Sequence, residues 1–331
     1  MLRSAWTWTH TSTKSHPVDR MKPAKPLLAL AALLAASGAA FVLNAVSATA
    51  TSAPAEPPYI KAAQILAHAK PERLTLQSQV ALVLDEREGV VLYERAADMP
   101  RPITSLTKLM TALVILESGA ALDEALMITQ EDRDRLKGSH SRIAFGARLT
   151  RGDLLRAALG ASDNRAASAL ARAFPGGHEA FMATMNTRTQ ALDMTGTRFV
   201  DASGLNAGNV STARDLQKLL DAARSQPLIH DFTTMSEFYI TDLVTHRVTS
   251  FVNTNRLVRQ ERWEIALSKT GYTADAGNCL AMQVTVAGRP LSIVLLNSWG
   301  RASKYGDAQR IRDWLIDTER HIPPVTAHVS L

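Results

Sequence analysis

Residues 105–119 read "SLTKLMTALVILESG", and much of the fold depends on how they are read. Leu106, Leu109, Met110 and Leu113 recur at helical spacing and share one face, and Gly119 supplies a stop just past the last apolar turn. The spacing therefore predicts a helix that begins near Ser105. Ser105 and Lys108 stand three residues apart on one face of that helix, where a hydroxyl and an ammonium meet. Two readings are open. Ser105 is a helix cap and Lys108 a surface charge, or Ser105 is a nucleophile and Lys108 the base that takes its proton. The second reading needs a lysine pKa well below the usual value of about 10.4, which burial and a nearby like charge both produce. Roughly one S-x-x-K arises by chance in a chain of this length, so the pattern by itself does not choose.

Upstream of this helix, "YIKAAQILAHAK" (59–70) has a helical pattern. "SQVALVLDEREGVVLYER" (78–95) is two apolar strands around a turn that ends at Gly89. Downstream, 120–190 is mostly helical: "RGDLLRAALGAS", "NRAASALARAF" and "HEAFMATMNTRTQALD". A further helix, "STARDLQKLLDAARS", opens with Ser211 or Thr212 as its cap. The chain then returns to strands: "WEIALSKTG", "CLAMQVTV", the turn "AGRP" and "LSIVLLNSW", closed by the helix "DAQRIRDWLI". Strands at both ends with helices between them predict an antiparallel sheet closed by the two chain ends, with a helical block inserted at about 116–190. No internal repeat or coiled-coil heptad is legible.

The bulk numbers bound the function. The chain has 331 residues, 46% hydrophobic and 21% charged, as expected of a globular protein with a real core. Its net charge is +6, from 37 basic and 31 acidic residues. Arg3, Lys14, Arg20, Lys22 and Lys25 stand against Asp19 alone in the first fifty residues, and without these the balance is 32 against 30. The basic character belongs largely to residues 1–50, so nothing points to nucleic acid. Within them, "MKPAKPLLALAALLAASGAAFVLNAVSATA" from Met21 has a charged start, an apolar run from Leu27 to Leu43 and the small-residue pattern Ala48-Thr49-Ala50. That is a secretion signal cleaved near Ala50, with Met21 the expected true start and the periplasm the expected location. A membrane anchor is the other reading; the run is short for a span and rich in Ala. Residues 51–58, "TSAPAEPP", read as a flexible lead-in, and 59–325 as the functional domain. The tail "IPPVTAHVSL" is too short and too weakly amphipathic to anchor the protein, so membrane association is at most loose. Cys279, the one cysteine, excludes an intrachain disulfide and falls in the apolar run "NCLAMQVTV", as an inert core residue does.

Two more short patterns follow the first in order. Ser162-Asp163-Asn164 lies between helical stretches; its serine can pass a proton and its asparagine offers a donor and an acceptor to a peptide group, although it also reads as a helix start. Lys269-Thr270-Gly271 ends a strand. Trp263, Ile265 and Leu267 alternate there, and Lys269 comes next in that phase, where a core-facing side chain is due. Gly271 would let a substrate backbone lie against the strand edge. S-x-x-K, S-D-N and K-T-G in this order are the set found in penicillin-binding proteins and class A β-lactamases.

With "RPITSLTKLMTALVILE", "NRAASALA", "PGGHEAFMATMN", "STARDLQKLL", "NTNRLV" and "LSKTGYTADAGNCLAM", the chain resembles the low-molecular-mass penicillin-binding proteins over about residues 75–320. More narrowly it resembles the D-alanyl-D-alanine endopeptidases of the penicillin-binding protein 7 type. The resemblance implies an α/β (α+β) fold of the β-lactamase/DD-peptidase kind, an antiparallel five-stranded sheet flanked by helices with a mainly helical subdomain. It implies a serine peptidase that needs no metal or cofactor, acts on peptidoglycan stem peptides and cross-links, and is acylated by β-lactam antibiotics. In that reading Ser105 is the acylated nucleophile, Lys108 its base, and Ser162 the relay to the leaving amine. Asn164 holds the substrate amide, Lys269 and Thr270 take its carboxylate end, and the backbone N–H groups of Ser105 and Tyr272 form the oxyanion hole. From the residues themselves, Lys269 is a like charge that would keep Lys108 deprotonated, and a helix start at Ser105 offers free N–H groups.

One departure is visible: relatives often carry an arginine just before N-T-N, where this chain has Val252, with His246 or Arg247 as substitutes. The rival functions are weaker. A class A β-lactamase needs a glutamate in an E-P-x-x-L-N-like segment, and the nearest match is "DASGLN" with the shorter Asp201. A metallopeptidase needs clustered ligands, and no two of the seven histidines after residue 50 lie within four residues of each other. A binding module would not keep both the serine and the lysine. A D-alanyl-D-alanine carboxypeptidase remains the alternative to the endopeptidase; its relatives carry an extra β-rich domain and a C-terminal helix, for which the roughly 60 residues after Lys269 leave no room.

Overall fold

A computed structural model describes residues 59–323. The expected leader 1–50, the lead-in 51–58 and the last residues of the tail lie outside the described residues. The helix α1 (Ala62–His68) leads into the hairpin β1 (Ser78–Asp85) and β2 (Val90–Arg95). Its turn is held by Asp85, whose Oδ1 accepts from the N–H groups of Arg87 and Glu88 at 2.9 and 3.1 Å. Gly89 takes the left-handed φ of +66° that the turn needs. A short strand, β3 (Arg101–Pro102), enters a 3₁₀ turn at Thr104–Leu106, and α2 follows (Thr107–Glu117).

The helix α2 is not a one-faced surface helix: nine of its eleven residues are buried, which makes it the central helix of the molecule. Around it lie the ribbon β4 (Ala125–Met127) and β5 (Arg148–Thr150), then α3 (Arg151–Gly160), α4 (Asn164–Arg172) and α5 (Gly177–Ala191). Next come β6 (Val210–Ser211), α6 (Ala213–Arg224) and α7 (Pro227–Thr234), followed by the hairpin β7 (Glu237–Thr241) and β8 (Val248–Val252). The cap of α6 is Thr212, whose hydroxyl accepts from the Asp215 N–H. The chain closes with β9 (Glu264–Thr273), β10 (Gly277–Val286), β11 (Arg289–Ser298) and α8 (Ser303–Arg320).

The main sheet has five strands in the order β2-β1-β11-β10-β9, antiparallel throughout. The expected closure of the sheet by the two chain ends is therefore its β1–β11 pairing. Both faces are covered, so its strands read as continuous apolar runs rather than alternating ones. Val80, Leu82, Ala281, Val294 and Leu296 pack with α2 and the helical block. Ala81, Val83, Met282, Ile293 and Leu295 pack with α1 and α8.

One phase expectation fails. Trp263 and Ile265 pack on the α8 face, while Leu267 packs on the α2 face. The register of β9 against β10 shifts between Leu267 and Ile265, which leaves Ala266 as an extra residue and turns the strand over. Lys269 shares its face with Leu267 alone among the three apolar residues proposed to set its phase. Among the described residues, no helix is long and apolar enough to cross a membrane.

Candidate active site

The helix α2 starts two residues later than expected, and Ser105 caps nothing. It sits in the 3₁₀ turn, and its Oγ accepts a 2.9 Å hydrogen bond from Lys108 Nζ. The lysine is fully buried on the first turn of α2. Its other donors go to Asn164 Oδ1 at 2.7 Å and to the backbone carbonyl of Ser203 at 2.6 Å, so all three ammonium hydrogens have partners. The surface-charge reading of Lys108 is excluded by this burial. Burial also brings its pKa down to about 8, against the opposing pull of Asp201, Asp163 and Asp134. Burial, one of the two causes expected, is the largest cause of the shift at Lys108. Lys269 is held well below its usual range by burial first and then by the like charges of Lys108 and Lys304.

Asn164 is the first residue of α4, and Asp163 is the cap of that helix, with Oδ1 accepting from the Ala166 N–H at 2.9 Å. The S-D-N segment is thus a helix start and part of the site together. The Asn164 amide nitrogen donates to Ser139 Oγ at 2.8 Å, which fixes the oxygen toward Lys108. Ser162 takes a left-handed φ of +58°, a strained conformation for a serine. It is half-buried, and its hydroxyl has no hydrogen-bond partner among the described residues. Ser105, Lys108 and Asn164 are therefore joined by hydrogen bonds, and Ser162 is not tied in.

On β9, Lys269 is buried and donates only to the Thr270 carbonyl, at 3.1 Å, which leaves ammonium hydrogens for a ligand. The Thr270 hydroxyl donates to Thr254 Oγ1 at 2.9 Å. Gly271 serves a purpose other than the one expected. A Cβ there would fall 2.2 Å from Thr104 Cγ2 and 3.0 Å from Ser105 N, so the glycine lets the nucleophile's own turn lie on β9. The same contact sets the backbone of Ser105 beside that of Gly271. Tyr272 itself is exposed.

Several contacts around the site carried no sequence signal. Asp201, the one candidate for a deacylating carboxylate, spends both oxygens on its own loop. Oδ1 accepts from Ser203 N (2.6 Å), Ser203 Oγ (2.8 Å) and Gly204 N (2.6 Å), and Oδ2 from Asn206 N (2.6 Å). That loop delivers the Ser203 carbonyl to Lys108. Asn209 ties it to α2, donating to Thr107 Oγ1 at 2.9 Å and to the Asp201 carbonyl at 2.8 Å. Val252 points outward on β8. His246 and Arg247 lie exposed at the hairpin tip, which bonds to Arg148 through Leu243 N and Asp242 Oδ1, so neither takes the place of the missing arginine at the base of the hairpin. There Arg259 Nη1 donates to the Asn253 carbonyl at 3.2 Å. Cys279 is buried, and its thiol is pushed up to about 11 by burial, as an inert core residue requires.

Residues 66–300 match the family described as D-alanyl-D-alanine carboxypeptidase. The chain belongs to that family. It is 43% identical over 245 residues to a D-alanyl-D-alanine endopeptidase of Pseudomonas aeruginosa, covering 74% of this chain and 79% of that one. It is 40% identical over 255 residues to the D-alanyl-D-alanine endopeptidase of Escherichia coli, covering 77% and 82%. Among solved structures it resembles the Streptomyces K15 DD-transpeptidase, with a TM-score of 0.67 and 26% identity over 73% of this chain and 98% of that one. The expected fold, a five-stranded antiparallel sheet with a helical block, is the observed one.

Proposed function

We infer that the protein is a serine D-alanyl-D-alanine peptidase of peptidoglycan, acylated by β-lactams, and that it cuts cross-links as an endopeptidase. The observation that carries the chemistry is the buried Lys108 donating to Ser105 Oγ at 2.9 Å. The preference for cross-links is supported by the relatives at 40% and 43% identity, both endopeptidases by name. In the neutral form Lys108 takes the Ser105 proton as Oγ attacks the D-alanyl carbonyl. The oxyanion is received by the N–H groups of Ser105 and Tyr272. The C–N bond breaks, and Ser162 gives its proton to the departing amine as it takes up the one that Lys108 received from Ser105. Water then cleaves the ester and frees Ser105.

Asn164 holds the substrate amide. Lys269 and Thr270 take the carboxylate next to the scissile bond, and an anion there favours the charged form of a lysine whose pKa burial lowers. Residues 59–325 form the catalytic domain. The leader directs it to the periplasm, and the mature chain begins close to Thr51, which N-terminal sequencing of periplasmic material checks.

With penicillin the leaving group stays tethered and blocks water. A β-lactamase overcomes this with a free carboxylate, whereas Asp201 is fully engaged by its loop. Intact-protein mass spectrometry after brief penicillin exposure should therefore find an adduct that lasts minutes or longer and is absent in Ser105→Ala. Digestion of purified muropeptides should remove cross-linked dimers faster than terminal D-alanine from monomeric pentapeptides. Rapid turnover of penicillin would favour the β-lactamase reading, and preferential trimming of monomers the carboxypeptidase.

A further inference from the structure

Beside Tyr272 a cavity of about 750 Å³ opens between the end of β9, the 3₁₀ turn after β8 and the start of α8. Arg256, Arg301 and Lys304 line it, with Tyr272, Tyr305 and Asn278, and no carboxylate does. Lys304 is only 6% exposed, and its ammonium reaches two neutral acceptors at long range, Asn278 Oδ1 at 3.2 Å and the Gly271 carbonyl at 3.5 Å. The Arg256 guanidinium lies over the Tyr305 ring at 4.6 Å, which leaves its N–H donors free for a ligand. Three cations around one cavity repel one another unless an anion joins them.

The cavity adjoins the site. Tyr305 Oη donates to the Thr254 carbonyl at 3.0 Å, and the Thr254 hydroxyl accepts from Thr270. It therefore opens next to the pair that takes the carboxylate beside the scissile bond, on the side of the leaving amine. A carboxypeptidase releases a single D-alanine with one carboxylate, for which Lys269 and Thr270 suffice. The amine released from a cross-link carries a whole stem peptide with further carboxylates, and the cavity is large enough to take such a group with the residue that bears it.

We propose that this cavity is a second anion subsite, which receives a further carboxylate of the acceptor stem when the substrate is a cross-link. The proposal rests on the endopeptidase reading. Arg256 and Arg301 are the recognition residues; both are exposed, so their replacement leaves the core intact.

The test compares wild type with the Arg256→Gln/Arg301→Gln double variant on three ligands. These are a purified cross-linked muropeptide dimer, the same dimer with its acceptor-stem carboxylates amidated except the one beside the scissile bond, and a fluorescent penicillin. The double variant should raise KM for the free dimer at least about tenfold, the loss of charge-assisted hydrogen bonds, with kcat nearly unchanged. Penicillin acylation should stay within about twofold of wild type by the same comparison. The amidated dimer should be a poor substrate for wild type and insensitive to the substitutions. Wild-type cleavage of dimers with an indifferent double variant, or no penalty for amidation, overturns the subsite alone. So does a parallel loss with dimer and penicillin, which would make the arginines supports of β9. A wild-type enzyme that is acylated by penicillin but leaves dimers intact overturns the endopeptidase reading, and the subsite with it.

Discussion

At Lys108 burial and hydrogen bonding act in opposite directions. Burial disfavours the ammonium, while the Ser203 carbonyl, Asn164 Oδ1 and three nearby carboxylates favour it, and the balance stands near 8. A base accepts the Ser105 proton only when neutral, so at pH 7 about a tenth of the enzyme is competent. Acylation by penicillin should rise about tenfold per pH unit below 8 and level off above it, as the neutral fraction does. Lys108→Arg should abolish acylation, because arginine keeps its proton. Stopped-flow acylation from pH 6 to 9 checks both, and a flat wild-type profile would remove Lys108 as the base. The sign for stability is the same. The folded value lies below the unfolded one, so the buried charge costs stability below about 8, and that cost is relieved as pH rises from there toward 10.5.

Among the elements, β9 and the turn before α2 depend most on each other. The bulge at Ala266 brings Lys269 to the α2 face, and Gly271 then lets Thr104 and Ser105 lie against the strand. Thr104 is itself strained, with φ at +46°, and Gly204 crosses it from the other side, where a Cβ would come within 1.8 Å of the Thr104 carbonyl. The nucleophile's turn is thus pressed between two glycines. Gly271→Ala should slow penicillin acylation at least about tenfold, because a displacement of an ångström costs that or more in a positioned site. Adding Thr104→Ser removes the clashing methyl and should recover part of the loss. A double variant no faster than Gly271→Ala would mean that the glycine serves something other than this contact.

Over the whole molecule, the sheet is anchored by ionic groups at the end away from Ser105. Arg289, at the start of β11, is 1% exposed and pairs with Asp85 at the end of β1 and with Glu319 of α8 at 3.1 Å; Tyr59 joins it at 2.7 Å. Burial opposes ionisation of Asp85, but the hydrogen bonds of Tyr59, Glu88 and Arg289 outweigh it and hold the carboxyl below its usual range. Its contribution is therefore fully present above the unfolded value near 3.8 and is lost as pH falls from there through the lower folded value. Arg289→Met would leave the buried Asp85 and the half-buried Glu319 without their partner, at a cost of about 3–5 kcal/mol. Urea unfolding at pH 7 should register that loss, while penicillin acylation of the folded variant stays unchanged. A loss below about 1 kcal/mol would show the cluster to be a dispensable surface-like pair.

The three short motifs, their order and the run of strands, helices and strands were legible in the sequence, because each is a local pattern: a spacing along one turn, a period along one strand, a cap before a helix. These were enough for an antiparallel sheet closed by the chain ends and for Ser105 beside Lys108; the five strands and the roles of Asn164 and Lys269 in one site came with the family resemblance. Contacts between segments far apart in the chain were not legible. No spacing shows that the Ser203 carbonyl lies 2.6 Å from Lys108, that Asp201 exhausts its oxygens on its own loop, or that Thr104 fills the space left by Gly271. The face of β9 was misread because a bulge is set by the register with β10 and not by the strand's own alternation. Burial, too, belongs to the tertiary structure. The sequence placed Lys108 beside Ser105, but only the packing of α2 at the centre of the molecule removes water from the ammonium and turns a lysine into a base.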